Sequence, residues 1–116
     1  MRLLHTICVW MLTLIGIVHI CFGFLTFQDF STNLLWFIGS GLAMIFIGLL
    51  NFMFRLNSTQ RLAYGLNQIG NLLLFFFVIT VNSIALMPPG IIGLIVLMLL
   101  LFSSYKIYVL ASESHT

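Results

Sequence analysis

The chain has very few charged residues. Only 5% of its 116 residues are Asp, Glu, Lys or Arg, against roughly 25% in an average soluble protein. By contrast, 62% are hydrophobic, and the mean hydropathy is +1.24. A soluble domain this small cannot bury so much apolar surface, because its surface is large relative to its volume. The composition therefore excludes a soluble domain, a disordered chain and a coiled coil, and it predicts an integral membrane protein.

Acidic residues are missing from the apolar segments. The chain has only Asp29 and Glu113, and both lie outside the predicted helices. Proton-coupled exporters of this size need a carboxylate inside the membrane to exchange protons, so the sequence does not predict that mechanism.

Reactive and metal-binding constellations are also missing. The three histidines and two cysteines have no spacing typical of a haem or metal site. No nucleophile–base pair, phosphate-binding glycine loop or basic patch for nucleic acid is present. We expect a protein that is not an enzyme, with no cofactor, no metal and no nucleic-acid partner.

Four apolar stretches are long enough to cross a ~30 Å hydrocarbon core. They cover about 3–27, 34–54, 62–86 and 91–110. Lipid offers no hydrogen-bond partners to the backbone, so these stretches must be helices. Because the connections are short, consecutive helices are neighbours that run in opposite directions. The predicted fold is an all-α polytopic membrane protein, one domain over 1–116, with four transmembrane helices in an antiparallel bundle.

The connections carry capping and turn residues. Candidate caps precede the second and third helices, namely Ser31, Thr32 or Asn33, and then Ser58 or Thr59. Met87–Gly90 contains two prolines and a glycine, which predicts a tight turn before the fourth helix.

Positive charges predict the orientation. With four crossings, Arg2, Arg55, Arg61 and Lys106 all fall on one side of the membrane. The positive-inside rule places that side, and both termini, in the cytoplasm. The predicted location is a bacterial cytoplasmic (inner) membrane.

Polar side chains inside the apolar stretches are candidate functional residues. They predict an intramembrane polar network of His5, His19, Asn51, Asn67, Gln68, Asn71 and Lys106, with Ser103, Ser104 and Tyr105 at a similar depth on the fourth helix. Two interpretations remain open. One is a set of interhelical hydrogen bonds, and the other is a small cavity open to the cytoplasm that binds a lipid headgroup or polar ligand.

Glycines are candidate packing residues. Gly16 and Gly23 recur with heptad spacing on the first helix, and Gly41 and Gly48 do so on the second. Small residues let helix backbones approach closely in a membrane, so we expect packing seams here.

One pattern resembles a type of uncharacterised small bacterial four-helix membrane protein. It consists of Val18–Phe24, Leu35–Ala43 and Ile47–Asn51, with His, Trp, Gly and Asn set in apolar helices. The resemblance implies a four-helix inner-membrane protein and implies no activity.

These observations lead to three functional hypotheses. The first is a non-enzymatic accessory or lipid-interacting component. Such a component would contact membrane lipids and could form a homo-oligomer or join a larger membrane complex. The second is a homo-oligomeric channel or transporter for a small solute. The third is a quinone-handling membrane subunit in which His19 donates a hydrogen bond to a carbonyl headgroup.

Overall fold

The fold is a bundle of four long helices. A computed structural model describes residues 1–84 and 88–113 of the chain. These residues form α1 (Arg2–Thr26), α2 (Thr32–Leu56), α3 (Arg61–Ile84) and α4 (Pro88–Glu113), and no strand occurs among them. Helices of 24 to 26 residues measure about 36–39 Å, more than the hydrocarbon core of a bilayer. Each is long and apolar enough to cross a membrane, which confirms the predicted all-α class with four such helices.

The start of α4 differs from the prediction. The tight turn predicted at Met87–Gly90 is wrong for its last three residues, because Pro88, Pro89 and Gly90 lie within α4 and Gly90 has no positive φ. Met87 lies outside the described residues. Proline is tolerated in the first turn, since the N–H that it lacks has no acceptor within the helix there. The other predicted helix ends lie within two residues of the observed ones, except at the C-terminal ends of α3 and α4. Helix α4 extends three residues past position 110, and the predicted end of α3 at 86 lies outside the described residues.

The two predicted caps have different outcomes. Ser31 Oγ accepts a hydrogen bond from the Leu34 N–H at 3.3 Å, so it caps α2. The prediction of Ser58 or Thr59 as the cap of α3 is wrong, because that helix begins only at Arg61. Both side chains therefore stay in the turn between α2 and α3.

Neighbouring helices run antiparallel. Each helix packs against the next one along the chain, and α4 also packs against α1. On the α1–α2 seam, Gly16 lies against Gly41, whereas the later Gly23 lies against the earlier Phe37. Contacts between the other neighbours likewise join the early part of one helix to the late part of its neighbour. The bundle measures 57 × 23 × 21 Å.

All four glycines that the sequence singled out lie on the α1–α2 seam. A Cβ atom on Gly16 would lie 2.6 Å from the Gly41 carbonyl oxygen, and one on Gly23 would lie 2.8 Å from Phe37 Cβ. A Cβ on Gly48 would collide with Thr13. The backbones of α1 and α2 can therefore approach closely because these glycines place no side chain between them.

The apolar core lies in the middle of the bundle. Its buried members are Cys8, Val9, Leu12, Leu74, Val78, Val96, Leu97 and Leu100. Many large apolar side chains point outward instead; Trp10 is 65% exposed and Leu73 is 67% exposed. Such a surface suits a lipid environment and does not suit water.

Candidate functional site

A layer of buried polar side chains crosses the bundle at one level. We call this the polar layer, and its members are His5, Asn51, Asn67, Asn71, Ser103 and Ser104, all fully buried. The antiparallel order explains the layer, because it brings the first turns of α1 and α3 beside the last turns of α2 and α4. Each helix thus contributes at least one polar side chain at the same depth.

Three of these side chains form one hydrogen-bonded group. The Asn67 amide N–H donates to Ser104 Oγ at 2.9 Å, and Ser104 Oγ lies 3.2 Å from His5 Nε2. With its oxygen already accepting, the Ser104 hydroxyl can donate its proton to Nε2. In that arrangement Nδ1 is the protonated nitrogen of His5. The group links α3, α4 and α1.

Asn51 and Asn71 form a second, reciprocal group. Asn51 Nδ2 donates to Asn71 Oδ1 at 2.7 Å, and Asn71 Nδ2 donates to Asn51 Oδ1 at 3.1 Å. Asn51 Nδ2 also donates to the Ile47 carbonyl oxygen at 2.8 Å. This paired amide links α2 and α3.

The polar layer keeps some unused hydrogen-bonding capacity. Among the described residues, His5 Nδ1, Asn67 Oδ1 and Gln68 Oε1 are buried and have no hydrogen-bond partner. Gln68 lies at the edge of the layer, where its Nε2 contacts the Tyr64 hydroxyl at 3.1 Å and the Leu101 carbonyl at 3.3 Å. A donor and two acceptors thus remain available to water-sized polar molecules.

Two residues of the predicted network, His19 and Lys106, lie outside the polar layer. His19 is half-buried in the other half of the bundle, where its ring stacks on Phe37 at 4.5 Å between centroids. Lys106 is exposed, and its ammonium lies 5.9 Å from the centre of the Phe102 ring. His19 is fourteen residues from His5, or about 21 Å along a helix. Lys106 points away from the interior because its helix turns its two serines inward.

One contact near the layer was missed by the sequence analysis. The Arg55 guanidinium donates to Thr6 Oγ1, which joins the last turn of α2 to the first turn of α1. The sequence indicated only that the two residues lie at a similar depth, since Arg55 follows Asn51 by four residues and Thr6 follows His5 directly. Depth alone, however, does not say which side chains meet.

A pocket opens at the end of the bundle that carries Arg2, Arg55, Arg61 and Lys106, which we call the cationic end. Its volume is about 280 Å³. The pocket is lined by Met1 and Arg2 from the start of α1, Ser58 and Thr59 from the α2–α3 turn, and Ile107, Leu110 and Ala111 from α4. Ile107 lies one helical turn beyond Ser104, and its buried side chain separates the pocket from the polar layer.

A second, apolar groove opens sideways between α2 and α3. Its volume is about 390 Å³, and Trp36, Gly39 and Ala43 line one wall while Leu73 and Phe77 line the other. Gly39 has open space where a Cβ would be. The groove faces the region that lipid would occupy.

The described part of the chain contains no group of three His, Cys, Asp or Glu side chains that could hold a metal ion. Cys8 is buried and Cys21 is exposed, and both are free thiols.

Comparisons with protein-family models, curated proteins and solved structures give no match.

Proposed function

We propose that the protein is a non-enzymatic, lipid-interacting accessory component of a bacterial inner membrane. In this proposal it spans the membrane four times, with the cationic end and both termini in the cytoplasm. The unanimous placement of Arg2, Arg55, Arg61 and Lys106 at one end supports this orientation.

The observation that carries the proposal is the closed interior. Leu12, Leu97 and Leu100 are at most 1% exposed and belong to one apolar cluster next to the polar layer. The layer's own side chains are used mainly to join the helices to one another. A solute moving through one chain would have to separate both the apolar cluster and the polar layer. The surfaces available for interaction therefore lie on the outside of the bundle.

The chemistry of the layer supports a non-enzymatic role. Apart from His5, its members are amides and hydroxyls, which are weak acids and bases. The two acidic residues of the chain, Asp29 and Glu113, lie in the α1–α2 connection and at the end of α4. In the part of the chain that the structure describes, His5 therefore has no carboxylate beside it to orient it as a general base.

Native mass spectrometry of the full chain, released from nanodiscs of phosphatidylethanolamine and phosphatidylglycerol, tests the proposal. We expect one chain, or a chain with a partner protein, that retains one or more lipid molecules at collision energies that strip detergent. A closed ring of copies that carries no lipid would contradict the accessory role.

A second candidate is a homo-oligomeric channel or transporter, and the open α2–α3 groove is the observation that favours it. A path could form between chains where two such faces meet. Solute flux into proteoliposomes that Ser40→Leu abolishes, by placing a bulky apolar side chain on the groove wall while the variant keeps its fold, would favour transport. Flux that is absent in the native chain would exclude it.

The third candidate is quinone binding, and the free hydrogen-bonding capacity of His19 favours it. Its ring stacks on Phe37 and makes no hydrogen bond with the described residues, so an imidazole N–H is available to a quinone carbonyl. A quinone that copurifies with the native chain and is lost in His19→Leu would support this function. Equal quinone content in both proteins would contradict it.

A further inference from the structure

The pocket at the cationic end has the side chains of an anion site. We propose that this pocket binds a phosphate group, with Arg2 and the hydroxyls of Ser58 and Thr59 as its donors. This inference rests on the proposed lipid-interacting function, since it names the headgroup chemistry involved. A phosphate diester of an anionic lipid and a soluble phosphate compound share this chemistry, and competition with inorganic phosphate distinguishes them.

Charge is the first argument. The pocket wall contains one cationic side chain, Arg2, and no acidic side chain. Arg55, Arg61 and Lys106 lie at the same end of the bundle, and Asp29 lies at the opposite end. Among the described residues, Glu113 is the acidic side chain at the cationic end, two residues beyond Ala111 and outside the pocket wall. The potential at the pocket mouth is thus positive, and it attracts anions.

Unused donors are the second argument. Within the described residues, the side chains of Arg2, Ser58 and Thr59 make no hydrogen bond or ion pair. The side-chain hydrogen bond from Thr6 Oγ1 to Arg2 is accepted by the Arg2 backbone carbonyl oxygen. Ser58 and Thr59 would have been occupied if either had capped α3, but that helix begins later, at Arg61. A guanidinium fork beside two hydroxyls matches the oxygens of a phosphate group.

The apolar side of the pocket is the third argument. Ile107 forms a buried floor, whereas Leu110 is 58% exposed and Ala111 lies beside it on α4. A small polar anion would gain nothing from contact with this apolar wall, whereas the glycerol and first methylenes of a lipid would pack against it. The pocket therefore joins a polar part, with Arg2 and two hydroxyls, to an apolar part. It lies at an end of the bundle, where the headgroups of a surrounding bilayer would lie.

Lipid titration followed by native mass spectrometry tests the inference. The full chain is titrated with short-chain phosphatidylglycerol, with phosphatidylcholine of the same chain length, and with inorganic phosphate. We expect phosphatidylglycerol to bind at least tenfold more tightly than phosphatidylcholine, because Arg2 repels the choline ammonium. Arg2→Gln should weaken phosphatidylglycerol binding about tenfold or more, the range for losing a charged hydrogen bond.

The matched control is Lys106→Gln. It removes the same charge from the same end of the bundle, but Lys106 lies outside the pocket and contacts Phe102. We expect binding to stay within about twofold of the native chain, since only the diffuse surface potential changes. The double variant Ser58→Ala, Thr59→Val should also weaken binding while leaving the charge unchanged.

Several outcomes would overturn the inference. Equal losses in Arg2→Gln and Lys106→Gln would mean that general charge, and not the pocket, binds the anion. Equal binding of the two lipids, unaffected by Arg2, would reject the phosphate site but leave the lipid-interacting function standing. Absence of any lipid adduct would reject both. Displacement of the lipid by millimolar inorganic phosphate would support the same site with a soluble phosphate compound as its occupant, whereas lipid binding that resists phosphate would identify the headgroup.

Discussion

At the scale of single residues, the polar layer shows how amides and hydroxyls are accommodated inside an apolar bundle. A buried polar group without a partner costs free energy, and lipid supplies no partner. Asn51 and Asn71 solve this by pairing with each other, and Asn67 solves it in part through Ser104. Each side chain of the layer thus depends on one from another helix.

Two adjacent serines provide a matched test of this dependence. Ser104→Ala removes the shared partner of His5 and Asn67, so we expect it to lower the free energy of unfolding by about 1–2 kcal/mol, given ~0.6 kcal/mol on average for each interhelical bond in a membrane. Ser103→Ala removes only a bond to the Leu100 carbonyl of the same helix, and we expect little change. Unfolding in SDS, followed by circular dichroism, measures both. Equal stability of the two variants would contradict the role assigned to Ser104.

The reciprocal amide pair can be tested with a double-mutant cycle. Asn51→Leu and Asn71→Leu each leave the other amide without its partner, so each should lower the melting temperature. The double variant removes both polar groups and should lose less stability than the sum of the single losses, with a coupling of roughly 0.6–1.7 kcal/mol. Thermal unfolding in detergent gives the four values. Strict additivity would show that the two amides do not interact.

Residue depth could be predicted from the sequence, but residue direction could not. The positions of His5, Asn51, Asn67 and Asn71 along their helices predict that they share a level, and the structure brings them together. Lys106 has a similar depth yet points outward, because a shift of two positions on α4 turns a side chain away from Ser104. Direction depends on how each helix is rotated about its axis, which packing with its neighbours decides.

At the scale of helices, the α1–α2 seam depends on close approach of two backbones. The sequence predicts small-residue faces on both helices from Gly16, Gly23, Gly41 and Gly48. It could not predict that these faces meet each other, because any neighbouring helix could accept a glycine face. The start of α4 was also ambiguous in the sequence. Pro88 and Pro89 fit the first turn of a helix as well as they fit a loop, and the prediction chose the loop.

Two glycines on α2 separate packing from helix propensity. Gly41→Ala would place a Cβ 2.6 Å from the Gly16 carbonyl oxygen. Backbone cannot move aside cheaply, so we expect a loss of about 1–3 kcal/mol, as for other overpacked sites. Gly39→Ala enters open space, and its gain in helix propensity should leave stability unchanged or raised by up to about 1 kcal/mol. Equal destabilisation of both variants in SDS unfolding would show that the seam is not closely packed at Gly41.

At the scale of the whole molecule, the charge distribution gives the bundle two different ends. Arg2, Arg55, Arg61 and Lys106 lie at the end that also holds the polar layer and the pocket, while Asp29 lies at the other end. If the bundle spans a membrane as proposed, its orientation decides whether the polar layer and the pocket face the cytoplasm. The proposed headgroup site depends on this, because the cytoplasmic leaflet supplies the negative surface potential that draws cations toward it.

Accessibility to a membrane-impermeant thiol reagent tests the orientation. In a chain with Cys8→Ala and Cys21→Ser, a single cysteine is placed either at Gln28, in the exposed α1–α2 connection, or at Thr59, in the exposed α2–α3 turn. We expect Gln28→Cys to react in intact cells and Thr59→Cys to react only after lysis, because all four cations favour retention of their end on the inside. The reverse pattern would place the pocket outside the cell. Labelling of both sites in intact cells would show that the chain adopts two orientations. We expect this mixed labelling in the double variant Arg55→Gln, Arg61→Gln, because it lacks two of the four cations that favour one orientation.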